Sequence, residues 1–70
     1  SVLDRIDVPT LVIWGAEDRV LDYRYSAQFN RRIADSTLEA IPNCGHLPHV
    51  EFPEVTARII GDWLARTAER

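Results

Sequence analysis

The residues best suited to chemistry lie between Cys44 and Pro53, where His46 directly follows Gly45. This stretch comes after an apolar run typical of a strand. Pro53 suits the first turn of a helix, because its missing N–H would have no partner there. A histidine held in such a strand-to-helix loop can present one ring nitrogen to a reacting group. That use of His46 requires a partner for its other ring nitrogen, which must come from elsewhere in the chain.

Two short apolar runs predict the strands that would position this chemistry. Residues 10–14 are apolar or β-branched throughout and stop at Gly15, a pattern typical of a strand buried on both faces of a parallel sheet. Residues 37–41 predict a second strand, directly before the histidine loop. Between the two runs, apolar side chains at four-residue spacing predict an amphipathic helix over residues 23–34.

A final long helix is predicted after Pro53. Five apolar residues recur there at helical spacing: Val55, Ile59, Ile60, Trp63 and Leu64. Gly61 lies inside this helix at a cost of about 1 kcal/mol relative to alanine, so we expect either tight packing around it or mild weakness. The order strand, helix, strand, helix predicts an α/β fold with a right-handed crossover between two parallel strands.

Three carboxylates follow the first strand: Glu17, Asp18 and Asp22. In open α/β sheets, ligands and catalytic groups gather outside the carboxyl ends of the strands. The loop that carries these carboxylates and the loop that carries His46 are therefore expected at the same edge of the sheet. From the residues alone, each carboxylate could equally be a solvated side chain or a cap, and Asp22 is the best placed to cap the following helix.

The two loops carry a pair of motifs, VPTLVIWG-x-x-D over residues 8–18 and GH-x-x-x-x-E-x-P over residues 45–53. With these motifs in this order, the chain resembles the α/β-hydrolase fold superfamily. The resemblance covers nearly all 70 residues, but it corresponds only to the last two strands and last two helices of the family's parallel sheet. It implies that residues 1–70 are the C-terminal βαβα segment of a single α/β-hydrolase domain.

The resemblance implies that Asp18 is the acid and His46 the base of a Ser-His-Asp triad. The carboxylate would fix the tautomer of the imidazole and stabilise its protonated form, while the other ring nitrogen takes the proton of the nucleophile. No Gly-x-Ser-x-Gly turn occurs in the chain, and the oxyanion-hole loop and cap region of the family are also missing. Cys44 does not replace the serine, because it lies two residues from His46 in the wrong part of the fold.

Other residues near the motifs have structural or weaker functional interpretations. The four residues that directly follow His46 are candidates for a substrate-pocket wall: Leu47, Pro48, His49 and Val50. Glu51 is expected to accept hydrogen bonds that hold the loop and the start of the final helix. Trp14 is expected to be a packing residue at the end of the first strand.

Composition limits the partners and the compartment. The net charge of −3, the pI of about 5.2 and the scattered arginines argue against a nucleic-acid partner, which requires a basic stripe. No apolar stretch approaches the roughly 20 residues needed to span a bilayer, so no membrane partner is expected. The single cysteine fits a reducing compartment and a cytoplasmic protein. We expect no cofactor and no metal.

The leading functional hypothesis is a longer parent protein that hydrolyses a small-molecule ester, lactone or carbon–carbon bond. Relatives with an aspartate nucleophile, the haloalkane dehalogenases and epoxide hydrolases, are one alternative. A non-catalytic binding relative of the fold is another. The residue at the nucleophile position would discriminate among them. The chain itself is predicted to be inactive alone, and to self-associate or require the rest of the fold, because two strands form a poor sheet.

Overall fold

The computed structural model describes residues 2–68, so the ends of the predicted 1–70 segment lie outside the described residues. The regular elements are strand β1 (Thr10–Gly15), helix α1 (Ser26–Arg32), strand β2 (Ser36–Ile41), helix α2 (Pro48–Glu51) and helix α3 (Pro53–Ala68). Single turns of 3₁₀ helix lie at Leu3–Arg5 and Tyr23–Tyr25. The predicted α/β fold class is confirmed.

Two details of the helices differ from the prediction. The helix between the strands begins as the 3₁₀ turn Tyr23–Tyr25 and ends at Arg32, two residues early. Asp22 caps this turn as expected, since its side chain accepts a hydrogen bond of 2.8 Å from the backbone N–H of Arg24. Helix α2, inside the histidine loop, was not predicted, because four residues are too few for a helical period to be visible.

The two strands pair in parallel, with a register that runs from Thr10 opposite Ser36 to Gly15 opposite Ile41. Both strands therefore end at the same edge of the sheet, and the loops that follow them begin side by side. Residues 10–14 are half-buried rather than buried on both faces. Complete burial of a parallel strand requires a covering layer on both faces, and β1 pairs only with β2 in the described chain.

Helix α3 buries a narrower stripe than the sequence predicts. Thr56 is buried, and Ile59 and Trp63 are half-buried. The remaining three residues of the predicted apolar face are between 37% and 54% exposed. The apolar face is therefore wider than the part that contacts other described residues. The principal buried apolar side chains lie instead near the ends of α1 and β2: Ile33, Ile41 and Cys44.

Gly15 lies where the two loops touch. A Cβ atom built on Gly15 would overlap the carbonyl oxygen of Gly45 and would lie 2.8 Å from the carbonyl carbon of Cys44. Only glycine therefore allows the two backbones to approach this closely. Gly61 has the opposite environment, since a Cβ built there meets no described atom within 4 Å. The tight packing considered for Gly61 is thus not found among residues 2–68.

The Gly15→Ala substitution is expected to lower the free energy of unfolding by about 2–3 kcal/mol, because the backbone of the histidine loop would have to move aside. Gly61→Ala is the matched control and is expected to raise it by about 0.5–1 kcal/mol, since alanine favours a helix interior more than glycine does. Equilibrium urea denaturation of a complete α/β-fold domain that contains this segment, monitored by tryptophan fluorescence, measures both. A Gly15→Ala variant as stable as the unsubstituted chain would contradict the close approach of the loops.

Candidate active site

The structure brings Asp18 and His46 together at the carboxyl edge of the sheet. Asp18 Oδ2 lies 3.0 Å from His46 Nδ1. The side chain of Asp18 is 4% exposed, whereas that of His46 is 40% exposed. The carboxylate therefore lies behind the imidazole, and the imidazole faces outward. This is the arrangement in which a buried acid orients a histidine whose other nitrogen reaches a reacting group.

The second carboxylate oxygen of Asp18 is held by its own loop. Oδ1 accepts hydrogen bonds from the backbone N–H groups of Val20, at 2.9 Å, and Leu21, at 2.8 Å. These bonds leave Oδ2 to face His46. An ionised carboxylate can only accept hydrogen bonds, so Nδ1 of His46 must donate, and Nε2 of the neutral ring is then the unprotonated nitrogen. The geometry selects the tautomer that a general base requires.

The charge state of Asp18 follows from its surroundings. Withdrawal from water raises the pKa of this carboxyl and is the largest single effect. The hydrogen bonds from His46, Leu21 and Val20, together with the attraction of the His46 charge, outweigh it, and the pKa of Asp18 falls below its ordinary value. Asp18 is therefore ionised at neutral pH despite its burial. Of the three carboxylates in the loop, only Asp18 bonds to His46.

The backbone on both sides of His46 is held by one carboxylate. Glu51 Oε1 accepts a hydrogen bond of 3.0 Å from the N–H of Gly45, and Oε2 accepts one of 3.2 Å from the N–H of Leu47. The predicted role of Glu51 in holding the loop is thus confirmed, whereas neither of these donors belongs to the start of the final helix. The two loops are also tied to each other, since the N–H of Glu17 donates to the carbonyl of Cys44 at 2.8 Å.

Loss of one Glu51 acceptor is expected to weaken the histidine loop. Glu51→Gln keeps the size of the side chain but turns an NH₂ group toward one of the two backbone donors. We expect the free energy of unfolding to fall by about 1–2 kcal/mol. Glu54→Gln, one turn away at the start of α3, is the matched control and should change it by no more than about 0.5 kcal/mol. Urea denaturation of both variants, within a complete domain that contains this segment, is the measurement, and equal effects would contradict the role of Glu51.

A small cavity of about 130 Å³ opens beside the pair. Its lining comes from the end of β1, the acid loop and the histidine loop: Ile13, Trp14, Gly15, Asp18, Leu21, His46 and Pro48. Pro48 belongs to the predicted pocket wall. Leu47, His49 and Val50 are exposed and do not line this cavity, and their pocket role stays a prediction. Sequence reasoning did not assign Trp14 and Leu21 to the cavity, although both lie within four residues of Asp18.

Cys44 is buried within the site but is poorly suited to act as a nucleophile. Its side chain is fully buried, and its Sγ lies 3.6 Å from the carbonyl oxygen of Gly45. Burial raises the pKa of the Cys44 thiol, and the charges of Glu51 and Asp18 raise it further. Since the thiolate is the reactive form, this environment favours the inert thiol.

Neither a cluster of metal-ligating side chains nor a membrane span occurs among the residues that the structure describes. No group of three or more His, Cys, Asp and Glu residues in positions 2–68 could hold a metal ion. None of the described helices has the length and apolarity required to cross a membrane.

Comparison with known proteins gives the family of the chain. Residues 1–53 match the family model of the α/β-hydrolase fold. The chain belongs to the α/β-hydrolase fold family. The matched residues include both strands, Asp18, His46 and Glu51. The two-stranded parallel sheet described above is therefore a piece of an α/β-hydrolase sheet.

Named relatives and a solved structure agree with this assignment. The monoacylglycerol lipase ABHD6 of Bos taurus is 43% identical over 63 residues, which are 90% of this chain and 19% of the lipase. The 2-hydroxy-6-oxo-6-(2'-aminophenyl)hexa-2,4-dienoic acid hydrolase of Metapseudomonas resinovorans is 37% identical over 65 residues, 93% of this chain and 22% of that protein. The α/β-hydrolase chain thus spans about a fifth of the length of these curated relatives.

The fold is similar to that of the CarC enzyme, a serine hydrolase involved in carbazole degradation. Its crystal structure superposes on this chain with a TM-score of 0.88 at 35% sequence identity. The superposition covers 90% of this chain and 24% of the CarC chain. The α/β-hydrolase chain therefore has the backbone of one quarter of a solved serine hydrolase.

Proposed function

We propose that this chain supplies the acid, Asp18, and the general base, His46, of a hydrolase whose nucleophile lies outside residues 1–70. The observation that carries the proposal is the 3.0 Å contact between Asp18 Oδ2 and His46 Nδ1. The contact joins two loops at the carboxyl edge of a parallel sheet, where α/β proteins collect catalytic groups. The low pKa of Asp18 supports the ionised state that the acid of such a triad requires.

In the proposed reaction His46 moves one proton in two steps. Nε2 takes the proton of a serine hydroxyl as the serine oxygen bonds to the carbonyl carbon of the substrate. His46 then donates that proton to the leaving group as the bond to the leaving group breaks, which leaves an acyl-enzyme. A water molecule then gives a proton to Nε2 as its oxygen bonds to the acyl carbon. His46 returns that proton to the serine oxygen as the acyl–serine bond breaks, which releases the acid product and restores the serine. Asp18 remains ionised throughout and stabilises the imidazolium.

The proposed substrate is a small molecule with a hydrolysable ester, lactone or activated carbon–carbon bond. Ile13, Trp14, Leu21 and Pro48 contribute most of the cavity beside the pair, which supports an apolar group next to the reacting carbonyl. The relatives support the same range, since one is named a monoacylglycerol lipase and another a dienoic acid hydrolase.

A chimaera tests the proposal. In this chimaera the matched quarter of the CarC enzyme is replaced by this chain, and the rest of the CarC enzyme is unchanged. We expect the chimaera to hydrolyse the CarC substrate, because the two backbones agree and both catalytic side chains are present. The 70-residue chain alone is expected to show no turnover. A folded, monodisperse chimaera that lacks hydrolytic activity would overturn the proposed function, and so would turnover by the chain alone that His46→Ala abolishes.

A further inference from the structure

The indole of Trp14 bonds to the loop that carries Asp18. Its Nε1–H donates a hydrogen bond of 2.9 Å to the carbonyl oxygen of Leu21, seven residues along the chain. The loop leaves the sheet at Gly15 and returns so that Leu21 lies against the Trp14 side chain. Both residues line the cavity beside the Asp18–His46 pair. This bond therefore joins the sheet directly to the far end of the acid loop.

Both backbone polar groups of Leu21 make hydrogen bonds. Its carbonyl oxygen accepts from the indole of Trp14, and its backbone N–H donates to Asp18 Oδ1 at 2.8 Å. Asp18 Oδ2 then lies 3.0 Å from His46 Nδ1. A continuous series of hydrogen bonds thus runs from the indole N–H through Leu21 to the imidazole. Movement of Leu21 would turn the Asp18 carboxylate and change the angle that Oδ2 presents to His46.

The two ends of the indole bond differ in how firmly they are held. Trp14 lies within β1, opposite Ala40 in the register, and its ring packs against Phe29 of α1 with centroids 5.7 Å apart. By contrast, Val20 is 71% exposed and Leu21 is 49% exposed. Their side chains therefore contribute little packing to hold this end of the loop. The hydrogen bond to Trp14 ties this exposed segment to a paired strand of the sheet.

We propose that Trp14 is a positioning residue, whose indole N–H holds Leu21 so that the Asp18 carboxylate keeps its orientation toward His46. From the sequence, Trp14 was predicted only to pack at the end of the first strand. The consequence for catalysis rests on the proposed function, whereas the consequence for the Asp18 carboxyl does not. The two consequences can therefore be measured separately.

The decisive variant is Trp14→3-benzothienylalanine, which replaces the N–H with sulfur and keeps the shape of the ring. Trp14→Phe is a second variant made from a natural residue, and Trp63→Phe in α3 is the matched control. The first readout is the titration of the Asp18 carboxyl in the chimaera, which ¹³C NMR monitors. We expect its midpoint to rise toward the ordinary value of an aspartate, because the hydrogen bond from Leu21 weakens.

The second readout is steady-state kinetics of the same variants. We expect kcat to fall by about 10-fold to 100-fold, since small misplacements of catalytic groups have effects of this size. The KM of the isosteric variant should stay within about twofold, because the cavity wall keeps its shape. Trp63→Phe should change neither readout.

Each result decides the proposal or separates it from the proposed function. An unchanged Asp18 titration and an unchanged kcat in the isosteric variant would overturn the role of Trp14. A shifted titration in a chimaera that has no activity would support the role of Trp14 and would count against the proposed function alone. If Trp14→Phe fails to fold, the isosteric variant still gives the answer.

Discussion

His46→Ala in the chimaera is expected to lower kcat by about 10⁴-fold or more, with little change in KM. In the proposed reaction Nε2 of His46 takes the proton of the nucleophile, because Nδ1 is engaged by Asp18. Alanine leaves no group in the described loop that can replace it, since Cys44 is a buried thiol of raised pKa. Steady-state hydrolysis of the CarC substrate measures the loss.

His49→Ala is the matched control for this experiment. The second histidine lies three residues further on, in α2, and does not line the cavity beside the pair. We expect the His49→Ala variant to keep kcat within about threefold of the unsubstituted chimaera, since the bond to Asp18 comes from His46 and His49 does not line the cavity. A change confined to KM would support its predicted place in the pocket wall. Equal losses of kcat in the two variants would contradict the assignment of His46 as the base.

Asp18→Asn is expected to lower kcat by about 10³-fold to 10⁴-fold while the protein remains folded. The amide oxygen must face Val20 and Leu21, because both of these residues offer N–H donors to Oδ1. The amide NH₂ group then faces His46 and forces Nδ1 to accept. The proton moves to Nε2, and the ring loses the nitrogen that would act as the base.

Glu17→Gln is the matched control for Asp18→Asn, because it neutralises a carboxylate one residue away. The side chain of Glu17 is exposed, and the contact of Glu17 with the histidine loop is made by its backbone N–H, which the substitution leaves in place. The kcat of the Glu17→Gln variant should stay within about twofold of that of the unsubstituted chimaera. Circular dichroism of both variants checks that they fold. An Asp18→Asn variant with kcat close to that of the unsubstituted chimaera would remove Asp18 from the proposed triad.

The strands and their loops could be predicted because their signals are local. Residues 10–14 form an apolar run between a proline and a glycine, and such a run predicts a strand, although these residues are half-buried in the structure. The meeting of Asp18 and His46 was expected because parallel strands place their following loops at one edge. The resemblance to the α/β-hydrolase fold then selected Asp18 from three nearby carboxylates, which the residues alone did not distinguish.

The inward face of α3 and the short helix α2 were less accessible to sequence reasoning. The apolar residues of α3 cover a wide face, and which part contacts the rest of the chain depends on where the helix docks. Helix α2 consists of four residues, so no period is available to predict it. Both features depend on the arrangement of neighbouring elements rather than on local composition.

The sequence by itself determined the strand–helix order, the two loops and the residue types that could perform the proposed chemistry. Each of these follows from nearby residues, through strand and helix patterns and the backbone limits of proline and glycine. Only the tertiary structure decided that Oδ1 of Asp18 is occupied by Val20 and Leu21, that Glu51 holds both neighbours of His46, and that the Trp14 indole holds Leu21. A hydrogen bond requires its donor and acceptor to be placed to within a few tenths of an ångström, and the chain brings these groups together only on folding.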